Sequence, residues 1–208
     1  MITHAMFENI AFPEFSDSEI LRYANSGRLA KASGGISELL SEAKRITSQL
    51  LKDTCRVMYR ISDVKVEGEG VCNFGFAVAN SSSLGSLLST SYEAIFMCAT
   101  LGVRFDALIM KYSRTSPALA HMISSVGSER IEAVCNEFCN TLKVSYGKIG
   151  KSITPRFSPG YGDLGLEFQK DIFSFIQPQK YIGLTLNDSL LMSPSKSVSA
   201  IMGIKKET

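Results

Sequence analysis

The sequence predicts an α+β fold, a twisted and mainly antiparallel sheet with long helices packed on it. Three observations carry that reading. Ile36, Leu39, Leu40, Ala43, Ile46, Thr47, Leu50 and Leu51 recur every three to four residues, which is helical spacing with one apolar stripe. Arg56-Val57-Met58-Tyr59-Arg60-Ile61 alternates with period two, as a half-buried strand does, and Val64-Lys65-Val66-Glu67 repeats the pattern. Glu93 to Thr100 is a continuous apolar run closed by Leu101-Gly102, the signature of a strand covered on both faces.

The other elements follow in chain order. Ser16-Asp17-Ser18-Glu19 before Ile20-Leu21 has the form of a capping box, in which serine and glutamate satisfy each other's free backbone donors. It predicts a short helix from Asp17 to Asn25, ended by Gly27. Gly34-Gly35 breaks the chain before the long amphipathic helix, whose Glu38, Glu42, Lys44, Arg45 and Lys52 face water. Gly68-Glu69-Gly70 separates the two alternating strands from a third, Val71 to Val78. Asn80 to Ser83 reads as a polar connector, and Leu84 to Ser91 as a short helix.

Helical spacing resumes at Val103, Phe105, Leu108, Ile109 and Tyr112, and again after Pro117 from Leu119 to Leu142. The second of these spans about 25 residues at that period. Leu166 to Ile176 predicts a helix that Pro178 stops, and Tyr181 to Leu186 and Val198 to Ile204 predict the last strands.

Composition bounds the rest. The 208 residues are 45% apolar and 20% charged, a globular balance, and suffice for one domain with its own core. A net charge of +2 without a basic block argues against nucleic acid or an anionic membrane as partner. His4, Glu8 and Pro13 interrupt any signal-peptide core. The most apolar stretch, Ala94 to Val103, is too short to span a bilayer, so a cytoplasmic location is expected. Five cysteines form an odd set without disulfide-scaffold spacing.

Chemistry concentrates in Pro155-Arg156-Phe157-Ser158-Pro159-Gly160-Tyr161-Gly162-Asp163-Leu164-Gly165. Two prolines and three glycines in eleven residues forbid a regular helix or central strand. The segment still offers a guanidinium fork, an aromatic ring and uncovered backbone, the needs of an anionic, aromatic small ligand. Gly160 to Gly165 also matches G-x-G-x-x-G, but Pro155 and Pro159 occupy the place of the strand that a dinucleotide loop requires. Cys135 and Cys139 share a helical face and could ligate a metal, yet no further Cys or His pair completes a site, so buried packing is the expectation and no metal is assigned. His121 reads as structural, and no Ser-His-Asp set or phosphate loop can be assembled, so no catalytic residue is assigned.

Arg156-Phe157-Ser158-Pro159-Gly160-Tyr161 resembles the Arg-x-x-Pro-Gly-Tyr motif of the activation domain of cobalamin-dependent methionine synthase, which binds S-adenosylmethionine. The likeness continues through Ile182 to Ser189, similar to that family's Ile-Gly-x-x-Leu-Thr-Glu-Ser. It extends to Pro194-Ser195-Lys196-Ser197-Val198-Ser199, similar to its Pro-x-x-Ser-Val-Ser. Gly127 to Cys139 resembles the family's helix before the motif. The resemblance implies a free-standing activation domain that presents S-adenosylmethionine to a cobalamin carried by a partner methyltransferase, with an electron donor such as a flavodoxin-type protein. It implies that Arg156 holds the methionyl carboxylate, where a fork meets two oxygens at once. Pro159, Gly160 and Tyr161 form the ligand turn, Tyr161 stacking on adenine or lying near the sulfonium. Glu132 pairs with the amino group or sulfonium, although Glu129 and Glu137 are neighbours that could take its place. On residues alone, Arg156 could instead lie over Phe157, and Tyr161 could be a core ring. The sequence departs from the family after Ser199: a further strand bearing ligand-contacting tyrosines, and an N-terminal acidic contact, have no counterpart in it. Two other readings remain, a reactivator of a different corrinoid methyltransferase and a non-catalytic binding module with the same fold.

Overall fold

A computed structural model describes residues 4–7, 13–25 and 34–206. The chain runs β1 (His4–Phe7), α1 (Asp17–Tyr23), α2 (Gly34–Thr54), β2 (Arg56–Asp63), β3 (Lys65–Glu67), β4 (Val71–Asn73), β5 (Val78–Asn80) and α3 (Ser82–Leu88). It continues with β6 (Glu93–Thr100), α4 (Val103–Ser113), α5 (Pro117–Gly147), β7 (Lys151–Ile153), α6 (Gln169–Ile176) and α7 (Pro178–Ile182). It ends with β8 (Thr185–Leu186), β9 (Met192–Ser193) and β10 (Ser197–Lys206). The main sheet has the order β1-β2-β6-β10-β7, and every neighbouring pair is antiparallel. The predicted α+β class holds.

Both faces of this sheet are covered. Ile95, Met97, Ala99, Ala200 and Met202 face one core with α1, α2, α4 and α5; Ala94, Phe96, Cys98 and Ile201 face a second with α3, α6 and the small β3-β4-β5 sheet. That is why β6 reads as an unbroken apolar run: alternate side chains enter different cores, and both are dry. The α2 stripe behaves as its period predicts, with Leu40, Ala43, Thr47 and Leu51 buried. Helix α5 is 31 residues long, longer than the predicted 25, because its apolar positions pack on α1, α2, α4 and the sheet along most of its length.

Several expectations are corrected. Ser16 sits at the N-cap of α1, yet no capping box forms. Its N–H donates to Glu129 Oε1, and Glu19 pairs with Arg22 instead. The helix ends at Tyr23, before Asn25 with φ of 53°, and Gly27 lies outside the described residues. The single strand predicted over Val71 to Val78 is a hairpin, folded back where the Phe74 N–H donates to the Ala77 carbonyl and Gly75 takes φ of 78°. Asn80 belongs to β5, and α3 starts at Ser82 and stops at Leu88. Strand β7 was not expected from its three residues. Leu166 to Phe168 form a 3-10 turn before α6, and Pro178, expected only to stop a helix, opens α7 as its first residue. Hence Tyr181 is helical, and only Thr185 and Leu186 pair as a strand, with β9. Among the described residues no helix is long and apolar enough to cross a membrane.

Candidate functional site

Strand β10 is the rail on which the site is built. Ile204 pairs with Ile153 of β7; next, the Thr154 N–H donates to the Gly203 carbonyl at 2.9 Å, and the Gly203 N–H donates to Thr154 Oγ1 at 2.8 Å. Further on, Phe157 and Ile201 exchange both bonds, at 2.9 and 2.8 Å. Pro155 and Arg156 therefore stand opposite Met202 alone. This is a β-bulge, which re-aims a side chain, and a proline without an N–H is at home there. The extra residue turns Arg156 toward α5, while Phe157 packs into the second core.

On α5 the guanidinium finds two partners. Arg156 Nη2 donates to Glu132 Oε2 at 3.0 Å and to Asn136 Oδ1 at 2.8 Å. Glu132, Asn136 and Asn140 are spaced by four, so they form one polar row along α5. Between this row and the 154–161 segment lies a groove of about 650 Å³, also lined by Cys139, Lys143, Ser158, Tyr161 and Val198. Its size is that of a small-molecule site, about 300–1,000 Å³. Arg156 and Lys143 bring positive charge to its lining, and Glu132 brings negative charge. Tyr161, 69% exposed, stands at the groove and not in the core. Arg156 is thus an inward-facing fork and not a surface side chain lying on Phe157, and it is paired beside a hollow, not locked away from one.

The turn that presents Tyr161 is closed by its own backbone. Tyr161 N–H donates to the Ser158 carbonyl, Leu164 N–H to the Tyr161 carbonyl, and Gly160 N–H to the Leu164 carbonyl at 2.9 Å. Gly160 takes φ of 90°, a region open to glycine. Pro159 is buried beneath the turn, so Pro159 and Gly160 shape it but do not line the groove. Of the residues singled out in the sequence, the structure brings together Glu132, Arg156 and Tyr161. Asn136, Asn140, Lys143 and Thr154 were missed; the four-residue spacing from Glu132 marks the two asparagines.

Glu129, a rival of Glu132 in the sequence, is buried against Arg130, and the Arg130 fork also donates to the Pro13 and Glu14 carbonyls at 2.6 and 2.9 Å. Glu137 does not line the groove. Burial pushes the Cys98, Cys135 and Cys139 thiols up, and Cys55 to about 12. Among the described residues no group of three or more His, Cys, Asp or Glu could hold a metal ion. His121 Nε2 lies 3.3 Å from the Ala24 carbonyl, a structural tie. A dinucleotide loop is ruled out, because the strand leading to Gly160 is antiparallel to its neighbour and Gly165 opens a 3-10 turn.

No protein-family model matches the sequence, and no curated protein matches it significantly. Among solved structures, the fold is similar to the crystal structure of the MetH reactivation domain bound to AdoHcy. The TM-score is 0.71 at 14% identity, with 98% of this chain and 78% of that chain covered. The chain thus has the fold of the MetH reactivation domain.

Proposed function

We propose that this protein binds S-adenosylmethionine in the Arg156 groove and supports reductive reactivation of the cobalamin of a methionine synthase. The carrying observation is the partly open Arg156–Glu132–Asn136 cluster beside an exposed tyrosine, in a fold whose solved counterpart holds AdoHcy. An α-amino acid headgroup fits that cluster. Its carboxylate takes the Arg156 fork, and its ammonium takes the Glu132 carboxylate that the fork releases. A simple anion would leave Glu132 facing it unpaired, so the zwitterion is preferred. Tyr161 offers its ring face to adenine or to the sulfonium. Bound S-adenosylmethionine supplies a methyl group on a good leaving sulfur, transferred to cobalt together with one electron from a donor protein. The residues of this chain need supply no acid or base. They hold the ligand, and the open groove leaves it reachable from a cofactor on another protein.

Calorimetric titration with S-adenosylmethionine and AdoHcy tests this reading. Heat is expected with wild type and none with Arg156→Ala; silence in wild type, with and without a corrinoid methyltransferase, overturns it. Titration against different corrinoid proteins identifies the partner.

A further inference from the structure

Tyr161 is placed by the backbone alone. The residue is 69% exposed, so core packing does not orient it. What holds the loop on its far side is Asp163. Its carboxylate accepts from Ser81 Oγ at 2.5 Å, from the Ser82 N–H at 2.7 Å and from the Ser83 N–H at 3.2 Å. These are the first donors of α3. Leu84 N–H is taken by Ser81 Oγ and Ser81 N–H by the Gly70 carbonyl, so all four orphan donors of that helix end are satisfied, two of them by a residue some eighty positions away. Gly162 makes the approach possible: it takes φ of 56°, and a Cβ there would lie 3.0 Å from Ser83 Oγ.

We propose that Asp163 is a positioning residue for the groove, docking the loop onto the first turn of α3 and so aiming Tyr161 at the ligand. This rests on the reading of the groove as the ligand site. The hydrogen bonds from Ser81, Ser83 and Ser82 hold the Asp163 carboxyl down at about 2, which agrees with a docked, ionised carboxylate. Asp163 touches no ligand in this arrangement. It acts through the two peptide units, on either side of Gly162, that join it to Tyr161.

The test combines amide hydrogen exchange with AdoHcy titration of the full chain. Asp163→Asn keeps the shape and removes the charge, and Ser81→Ala cuts the same contact from the α3 side. In both, exchange at Ser82, Ser83 and residues 160–162 is expected to rise about tenfold, with the α5 amides unchanged. AdoHcy affinity is expected to fall about tenfold, the size of a lost charged cap. Tyr161→Ala added to Asp163→Asn should cost little more, because both changes remove one effect. Fully additive losses, or exchange at 160–162 equal to wild type, overturn the proposal. Wild-type binding with unchanged affinity in Asp163→Asn overturns the positioning role alone, whereas no binding by wild type overturns the functional reading as well.

Discussion

Arg130 and Glu129 keep 2% and 5% of their side chains in water, whereas Arg156 keeps 18% and Glu132 43%. The two pairs share α5 but not a role. Removing one partner of a buried pair leaves a charge without solvent, so Arg130→Ala should cost about 3–5 kcal/mol in chemical denaturation. It also frees the Pro13 and Glu14 carbonyls and the Phe15 ring on which the guanidinium lies. A partly exposed pair contributes about 0.2–1 kcal/mol. Arg156→Ala should therefore shift the denaturation midpoint little while abolishing ligand binding, a separation that marks a residue kept for contact. Asp163 adds a pH signature. A carboxyl held below its ordinary value of 3.8 stabilises the loop contact fully above that pH and loses the contribution as pH falls toward about 2. Exchange at Ser82 and Ser83, corrected for intrinsic rates, should accelerate over that window and not between pH 5 and 8. The motif around Arg156 is local and so stands out in the sequence. Asn136 and Asp163 do not, since their partners lie 20 and about eighty residues away.

Among the elements, α5 was read correctly in kind and too short in length. Periodicity reports which side chains meet a core, and the last turns of α5 carry exposed Val144 beside polar residues, where the stripe fades. The hairpin β4-β5 was read as one strand for the opposite reason. Phe74, Phe76 and Ala77 continue an apolar run through a turn, because their side chains pack onto Phe96 and the second core. Strand β7 gives almost no local signal; β10 defines it by pairing. Helices α4 and α5 meet at Gly127, where an added Cβ would strike the Phe105 ring. Gly127→Ala should destabilise by about 1–3 kcal/mol through overpacking, despite its higher helix propensity. A midpoint equal to or above wild type would refute that contact.

At the scale of the molecule, the class and the central strand were legible because β6 is apolar on both faces, and only a sheet covered twice tolerates that. The division into two cores was not, since it depends on which of two alternating sets meets which helices. The thiols test this division. Cys98 lies in one core and Cys135 in the other, both fully buried and raised by desolvation. A thiol reagent at pH 8 should leave both unmodified in the native state and label them together in denaturant. Labelling of one ahead of the other would show that the two layers open separately.

The extra residue at Pro155-Arg156 sits on the seam between those layers. Arg156 is tied to α5 on one side, and the next residue, Phe157, packs half-buried against the other core. A molecule gripping the guanidinium therefore pulls on a hinge pin common to both halves. Occupancy of the groove should be felt as slowed amide exchange in α6, whose Ile172 and Ile176 lie in that second core.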